Sequence, residues 1–162
     1  MGRDAITANQ PDLHTLFRKY ASSVRRDRRL SGEDVLTLTL NSQLESQDSV
    51  TLDARIEQGV VTELGYRIRA CSLAQATTGI IAARIPGITA PILLAAQQSL
   101  EAILQDKPPE QAALVWPELL TLQSAAGMPD RHEVALLPFH VLQQLLALKE
   151  NQDNTEPQHN QV

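Results

Sequence analysis

Tyr66-Arg67-Ile68-Arg69-Ala70-Cys71-Ser72-Leu73-Ala74-Gln75-Ala76-Thr77-Thr78-Gly79 changes its hydrophobic period midway. Before Cys71, apolar and charged residues alternate, as on a strand with one buried face. After Ser72, apolar and small residues recur at helical spacing. The only cysteine of the chain thus stands between a strand and a helix, close to the helix N-terminus. In that setting the macrodipole and unpaired amides favour the thiolate. The competing reading is a buried small hydrophobe, the common role of a lone cysteine.

Working outward, Val60 to Ala70 forms a strand with Leu64, Tyr66, Ile68 and Ala70 on one face. Glu57-Gln58-Gly59 is a tight turn, preceded by an alternating strand from Val50 to Ile56. A polar connection from Asn41 to Ser49 leads back to Val35-Leu36-Thr37-Leu38-Thr39-Leu40, again β-forming, entered through the turn Ser31-Gly32-Glu33-Asp34. Three strands joined by short connections predict an antiparallel meander. Asp12 is the expected N-cap of a helix to about Ser22, carrying Leu13, Leu16, Phe17 and Tyr20. Residues 1–11 are polar and read as a flexible N-terminus.

Downstream, the helix from Ser72 presents Ala74, Thr77, Thr78, Ile81 and Ala82 and stops before Ile85-Pro86-Gly87. A second helix runs from Thr89 or Ala90 to Leu104, with Leu93, Ala96, Leu100, Ile103 and Leu104 as its stripe. A shorter helical piece, Glu110 to Trp116, follows. The last helix covers Glu133 to Lys149, with Val134, Leu137, Val141, Leu142, Leu145 and Leu148 inward. Pro138 predicts a kink unless the regular helix begins close to it. Residues 150–162 are polar and aperiodic, the composition of a disordered tail. The class is α+β: a three-stranded antiparallel sheet with helices packed after it, in one domain spanning 12–149.

With 43% apolar but only 3% aromatic residues, the core must be built from Leu, Ile, Val and Ala. A net charge of −5 argues against a surface devoted to nucleic acid. Arg18, Lys19, Arg25, Arg26, Arg28 and Arg29 form a basic cluster, either a docking patch for an acidic partner or a nucleic acid, or a solvated helix end and loop. A single cysteine excludes an internal disulfide, and no apolar run has membrane-span length, so a soluble protein of the reducing cytoplasm is expected. The chain has no Gly-rich phosphate loop, no paired-cysteine metal motif and no Gly-x-Ser-x-Gly turn.

The candidate reactive groups are few. Asp34 precedes the first strand, and His132 and Glu133 open the last helix. Were these to meet Cys71 at one end of the sheet, thiolate, carboxylate and imidazole could together hold Fe or Zn. Each also has a plainer role: Asp34 as a turn-former, His132 as an exposed helix-start residue, Glu133 as a first-turn acid favoured by the dipole.

At this point the chain resembles the NifU/IscU-type iron–sulfur cluster assembly scaffolds. That family carries a Cys-Gly-Asp turn before the first strand, a Cys-Gly-x-Ala-x-Ala-x-x-Ser segment after the third, and an Arg-x-x-Cys-x-x-Leu segment opening the last helix. Cys71, Ala74, Ala76, Thr77 and Thr78 fall at the spacing of the second segment. Gly32-Glu33-Asp34 corresponds to the first, with Gly32 for the cysteine, and Arg131 to Leu137 to the third, with Val134 for the cysteine. Glu133 falls where many scaffolds carry a histidine.

The resemblance implies a non-enzymatic protein that binds iron or a cluster, or accepts sulfur, at Cys71. Asp34, Glu133 and His132 would be further ligands, and cysteine desulfurase and other assembly proteins its partners. A cluster needs about four ligands, so it would be shared across a homodimer, or replaced by a single metal ion. A SufE-like persulfide carrier, similar in fold and working with one cysteine, is the nearest alternative. A non-catalytic interaction module docking through Arg18 to Arg29 is a third. A cysteine hydrolase is the weakest, because only His132 offers a base.

Overall fold

The computed structural model describes residues 12–44, 47–107 and 115–159. Its sheet has the order β1 (Val35–Asn41), β2 (Ser49–Glu57), β3 (Val60–Arg69), antiparallel throughout. The meander read from the alternation is the one formed. Strict pairing sorts the side chains into rows: Leu40–Val50–Ile68, Leu38–Leu52–Tyr66 and Leu36–Ala54–Leu64 share the apolar face. The opposite face carries Thr39–Thr51–Arg67, Thr37–Asp53–Gly65 and Val35–Arg55–Glu63. A period of two makes this separation obligatory once one face is buried. The hairpin between β2 and β3 turns through Gln58 and Gly59, both at positive φ (53° and 80°), as a two-residue loop matched to strand twist requires.

On the polar face, Asp53 is fully buried. It accepts Arg29 Nε at 2.8 Å, Arg29 Nη2 at 3.0 Å, the Leu30 amide at 3.0 Å and the Thr37 hydroxyl at 2.7 Å. Burial pushes this carboxyl up, but those hydrogen bonds outweigh it and hold it below the ordinary Asp range. Arg29 of the basic cluster is thereby a structural cation. Arg28 is tied by a backbone bridge to Tyr66 on the outer edge of β3, and Val61 is tied there to Ile88.

Three of the four helices follow the sequence boundaries closely. Helix α1 (Leu13–Ser23) is capped by Asp12, which accepts the Thr15 amide at 2.6 Å. Helix α2 (Ser72–Ala83) begins just after Cys71, and α3 (Ala90–Leu104) buries all five residues of its expected stripe. A 3₁₀ segment, Pro117–Gly127, is continued by a short turn, Pro129–Arg131, into α4 (His132–His159). Helix α4 packs on β1 and β2, α2 packs on β3, α1 and α4, and α3 lies against α4 and the 3₁₀ segment. The core is largely aliphatic, with Tyr66 and the Phe139–Trp116 pair, 6.0 Å apart, as its buried rings. Each fully buried Leu or Ile contributes about 1.5–3 kcal/mol through removal of apolar surface from water.

Two expectations are corrected. Helix α4 does not end at Lys149 but continues to His159, where a disordered tail was expected. Extending an existing helix costs little, and a Lys149–Asp153 pair at i, i+4 (3.2 Å) supports the added turns. Leu148, expected inward, is exposed because the helix has passed the core by that turn. Pro138 is the seventh residue of an uninterrupted α4, deeper than a harmless N-terminal position. The expectations for 1–11, and for the helical piece from Glu110 as far as Leu114, lie outside the described residues. Among the described residues, no helix is long and apolar enough to cross a membrane.

Candidate functional site around Cys71

Cys71 is the N-cap of α2, with extended backbone (φ −69°, ψ 174°), and its side chain makes no capping hydrogen bond. The thiol is half-buried. Its position follows from the change of period: β3 ends at Arg69 and α2 begins at Ser72, which leaves Cys71 in the connection. The helix is free to lie close because of its small residues. A Cβ at Gly79 would overlap the Tyr20 carbonyl oxygen of α1.

Beside the thiol opens a groove of about 670 Å³. Leu13 and Phe17 of α1, Leu73 of α2, and Leu120 and Met128 of the 3₁₀ region give it an apolar lining. His14, Ser72, Thr121, Gln123, Ser124 and Arg131 supply its polar groups, and no carboxylate is among its described lining residues. Thr121 is buried, and its hydroxyl has no hydrogen-bond partner among the described residues.

The residues expected to join Cys71 are placed unequally. Glu133 does lie at the same end of the sheet, because it holds the connection that leaves β1. Its carboxylate accepts the Ser42 hydroxyl at 2.6 Å and the Gln43 amide at 2.8 Å. His132 Nε2 lies 3.0 Å from the Ala125 carbonyl oxygen, so that nitrogen donates and the ring ties α4 to the 3₁₀ segment. Val134, standing where the resemblance would have a third cysteine, is buried in the core.

Asp34 is at the other end. It flanks Val35, which is in register with Arg55, whereas Cys71 follows Arg69, in register with Ser49 and so with Asn41. The six residue steps from Val35 to Asn41 separate the two ends by about 20 Å. Asp34 instead accepts Arg55 Nε at 3.0 Å, beside the Arg55–Glu63 pair at 2.9 Å. The proposed correspondence of Gly32-Glu33-Asp34 with the family's first turn is therefore corrected: a meander reverses direction at each strand, so a turn before β1 cannot meet the end of β3. By register, Asp48, half-buried just before β2, is also at the Cys71 end. Among the described residues, no three His, Cys, Asp or Glu side chains stand together as a metal site.

Sequence reading missed Thr121 and the groove wall. The available signal was the three-residue spacing of Trp116, Leu119, Leu122 and Ala125, all buried, which is the period of a 3₁₀ helix.

No protein-family model and no curated protein matches the sequence. Solved structures do match the fold. A nitrogen-fixing NifU-like protein (N-terminal) from Brucella abortus aligns with TM-score 0.68 and 25% identity, over 84% of this chain and 92% of that one. A protein assigned as an iron–sulfur cluster assembly scaffold for the SUF system, from thermophilic Fervidobacterium islandicum, aligns with TM-score 0.65 and 19% identity, over 81% and 93%. A hypothetical protein aligns with TM-score 0.63 and 18% identity, over 82% and 97%.

Proposed function

We propose that this chain, similar in fold to a NifU-like protein and to a SUF-system scaffold protein, serves iron–sulfur cluster assembly as a sulfur acceptor through Cys71. The observation that carries this reading is a half-buried, uncommitted thiol at the N-terminus of α2, opening on a groove, with no metal-ligating trio of described side chains around it. The residues present do not fit a cluster held by one chain: Val134 is in the core, Asp34 is at the far end, and Glu133 and His132 are engaged in tying elements together.

One cysteine suffices for sulfur transfer. The Cys71 thiolate attacks the terminal sulfur of a persulfide on the donor's cysteine. The donor's S–S bond breaks, its thiolate leaves, and Cys71 carries the persulfide. One thiolate is consumed and one released, so no oxidant is required. The protein is thus a stoichiometric participant, with a cysteine desulfurase as the donor that this chemistry calls for.

The test is incubation with a cysteine desulfurase and cysteine, followed by intact-mass measurement, with Cys71→Ser alongside. A gain of one sulfur on wild type and none on the variant is expected; no gain on wild type overturns the reading. A scaffold role, with ligands pooled between two chains, is favoured by the NifU-like neighbour. Anaerobic addition of iron and sulfide separates the two. Retained iron with charge-transfer bands that vanish in Cys71→Ser supports the scaffold, and a colourless product supports the acceptor.

A further inference from the structure

We infer that two copies of this chain associate through the outer edge of β1, joining their three-stranded sheets into one about a two-fold axis at Leu38. This contact is independent of any sulfur chemistry at Cys71.

The edge is open and unguarded. β1 pairs with β2 without a bulge, and among the described residues no strand pairs with its other side. Its sequence holds no charge, proline or glycine, the usual protections of an edge strand. Thr37 and Thr39 are exposed, and Leu36, Leu38 and Leu40 are only half-buried at the border of the core.

The ladder decides which backbone groups face outward. The Ser42 amide donates to the Asp48 carbonyl oxygen at 2.9 Å, and antiparallel bonds alternate along a strand. Leu36, Leu38 and Leu40 therefore bond to β2, and Thr37 and Thr39 turn their N–H and C=O groups to the open edge. When β1 runs antiparallel to itself about Leu38, Thr37 of one copy meets Thr39 of the other and exchanges both bonds with it. Leu36 then meets Leu40, and Leu38 meets Leu38, so the half-buried leucines of both copies continue one apolar face. A shift of one residue would set leucine against threonine.

The occupant that fits is a second copy. Leu36-Thr37-Leu38-Thr39-Leu40 reads the same in both directions, a symmetry that a foreign strand does not need and a two-fold contact does. β1 also brings no charge to the contact, in a chain whose net charge is −5. Growth stops at two copies, because the outer edge of β3 is taken by Arg28 and Ile88.

The contact has a consequence for the thiols. Cys71 follows β3 at the Asn41 end of β1, so the two-fold axis sends the two thiols to opposite ends of the joined sheet. With the intervening strand spacings, they stand roughly 30 Å apart. Each thiol then acts alone, and this dimer cannot pool them on one cluster.

Sedimentation equilibrium of the full chain from about 1 μM to 1 mM should show monomer passing to dimer, since one strand edge is a small interface. Thr39→Lys, at an exposed position, should weaken the dimer at least about 5-fold. Thr39→Pro removes an N–H that β2 does not use and should weaken it at least about 10-fold. Both variants should still unfold cooperatively. In a Cys71→Ser background, Leu38→Cys should cross-link to its own copy under copper-phenanthroline oxidation, whereas Leu36→Cys should not, because the axis sets it opposite Leu40. A chain that is monomeric throughout the range overturns the inference, as does one that passes on to larger species. So does a dimer that both Thr39 variants leave unchanged, or one that Leu36→Cys links and Leu38→Cys does not.

Discussion

Gly79 shows how much one residue decides. It lies where α2 passes closest to α1, and an added methyl group would meet the Tyr20 carbonyl oxygen and the Ser23 hydroxyl, which is itself bonded to that carbonyl at 2.6 Å. Backbone cannot step aside as a flexible side chain can. Gly79→Ala should therefore cost roughly 3 kcal/mol, despite improving helix propensity. Urea unfolding checks this; an unchanged midpoint would mean that α1 is free to shift. Because α1 also supplies Leu13, His14 and Phe17 to the groove, the same variant should impair sulfur loading of Cys71. The small-residue run after Cys71 was visible in the sequence as a basis for close packing. Its neighbour was not, because the α1–α2 crossing pairs residues some sixty positions apart.

At the scale of elements, the strands and helices were legible wherever hydrophobic period and caps agreed: Asp12, the Gln58-Gly59 turn, and the stripe of α3. The 3₁₀ segment was not, since its three-residue spacing falls between the two patterns sought. Nor was the end of α4, where polarity was read as disorder although a solvated helix can be polar all round. The residues described from Glu150 to Thr155 are mostly exposed. Removing 150–162 should lower Tm by no more than about 2 °C, because exposed terminal turns carry little stability. The far-UV helical signal should nevertheless fall, and an undiminished signal would contradict the long α4. The candidate site was half legible for a related reason. Cys71 was placed by local pattern, whereas Asp34 was grouped with it by taking the turn before β1 to meet the end of β3, without following strand direction through the meander.

For the whole molecule, acid is the informative stress. Thr15 hydrogen bonds hold Asp12 low, the Arg69 guanidinium holds Asp27 low, and Asp53 is held low despite burial. A carboxyl depressed in the folded state contributes stability above its unfolded value, near 3.9, and that contribution is lost as pH falls through the folded value. Stability should be flat from about pH 7 to 5 in these groups and drop below about pH 4. Asp53→Asn should reduce that slope and lower stability at neutral pH; an unaltered acid limb would place the acid sensitivity elsewhere. The sheet has one further consequence. The outer edge of β3 is occupied by Arg28 and Ile88, while among the described residues no strand pairs with the outer edge of β1, whose sequence Val35-Leu36-Thr37-Leu38-Thr39-Leu40-Asn41 contains no charge. A neutral, β-prone ribbon of that length is what cross-β growth recruits. In a crowded or partly unfolded sample, β1 is accordingly the place where copies of this chain would begin to zip together into aggregate.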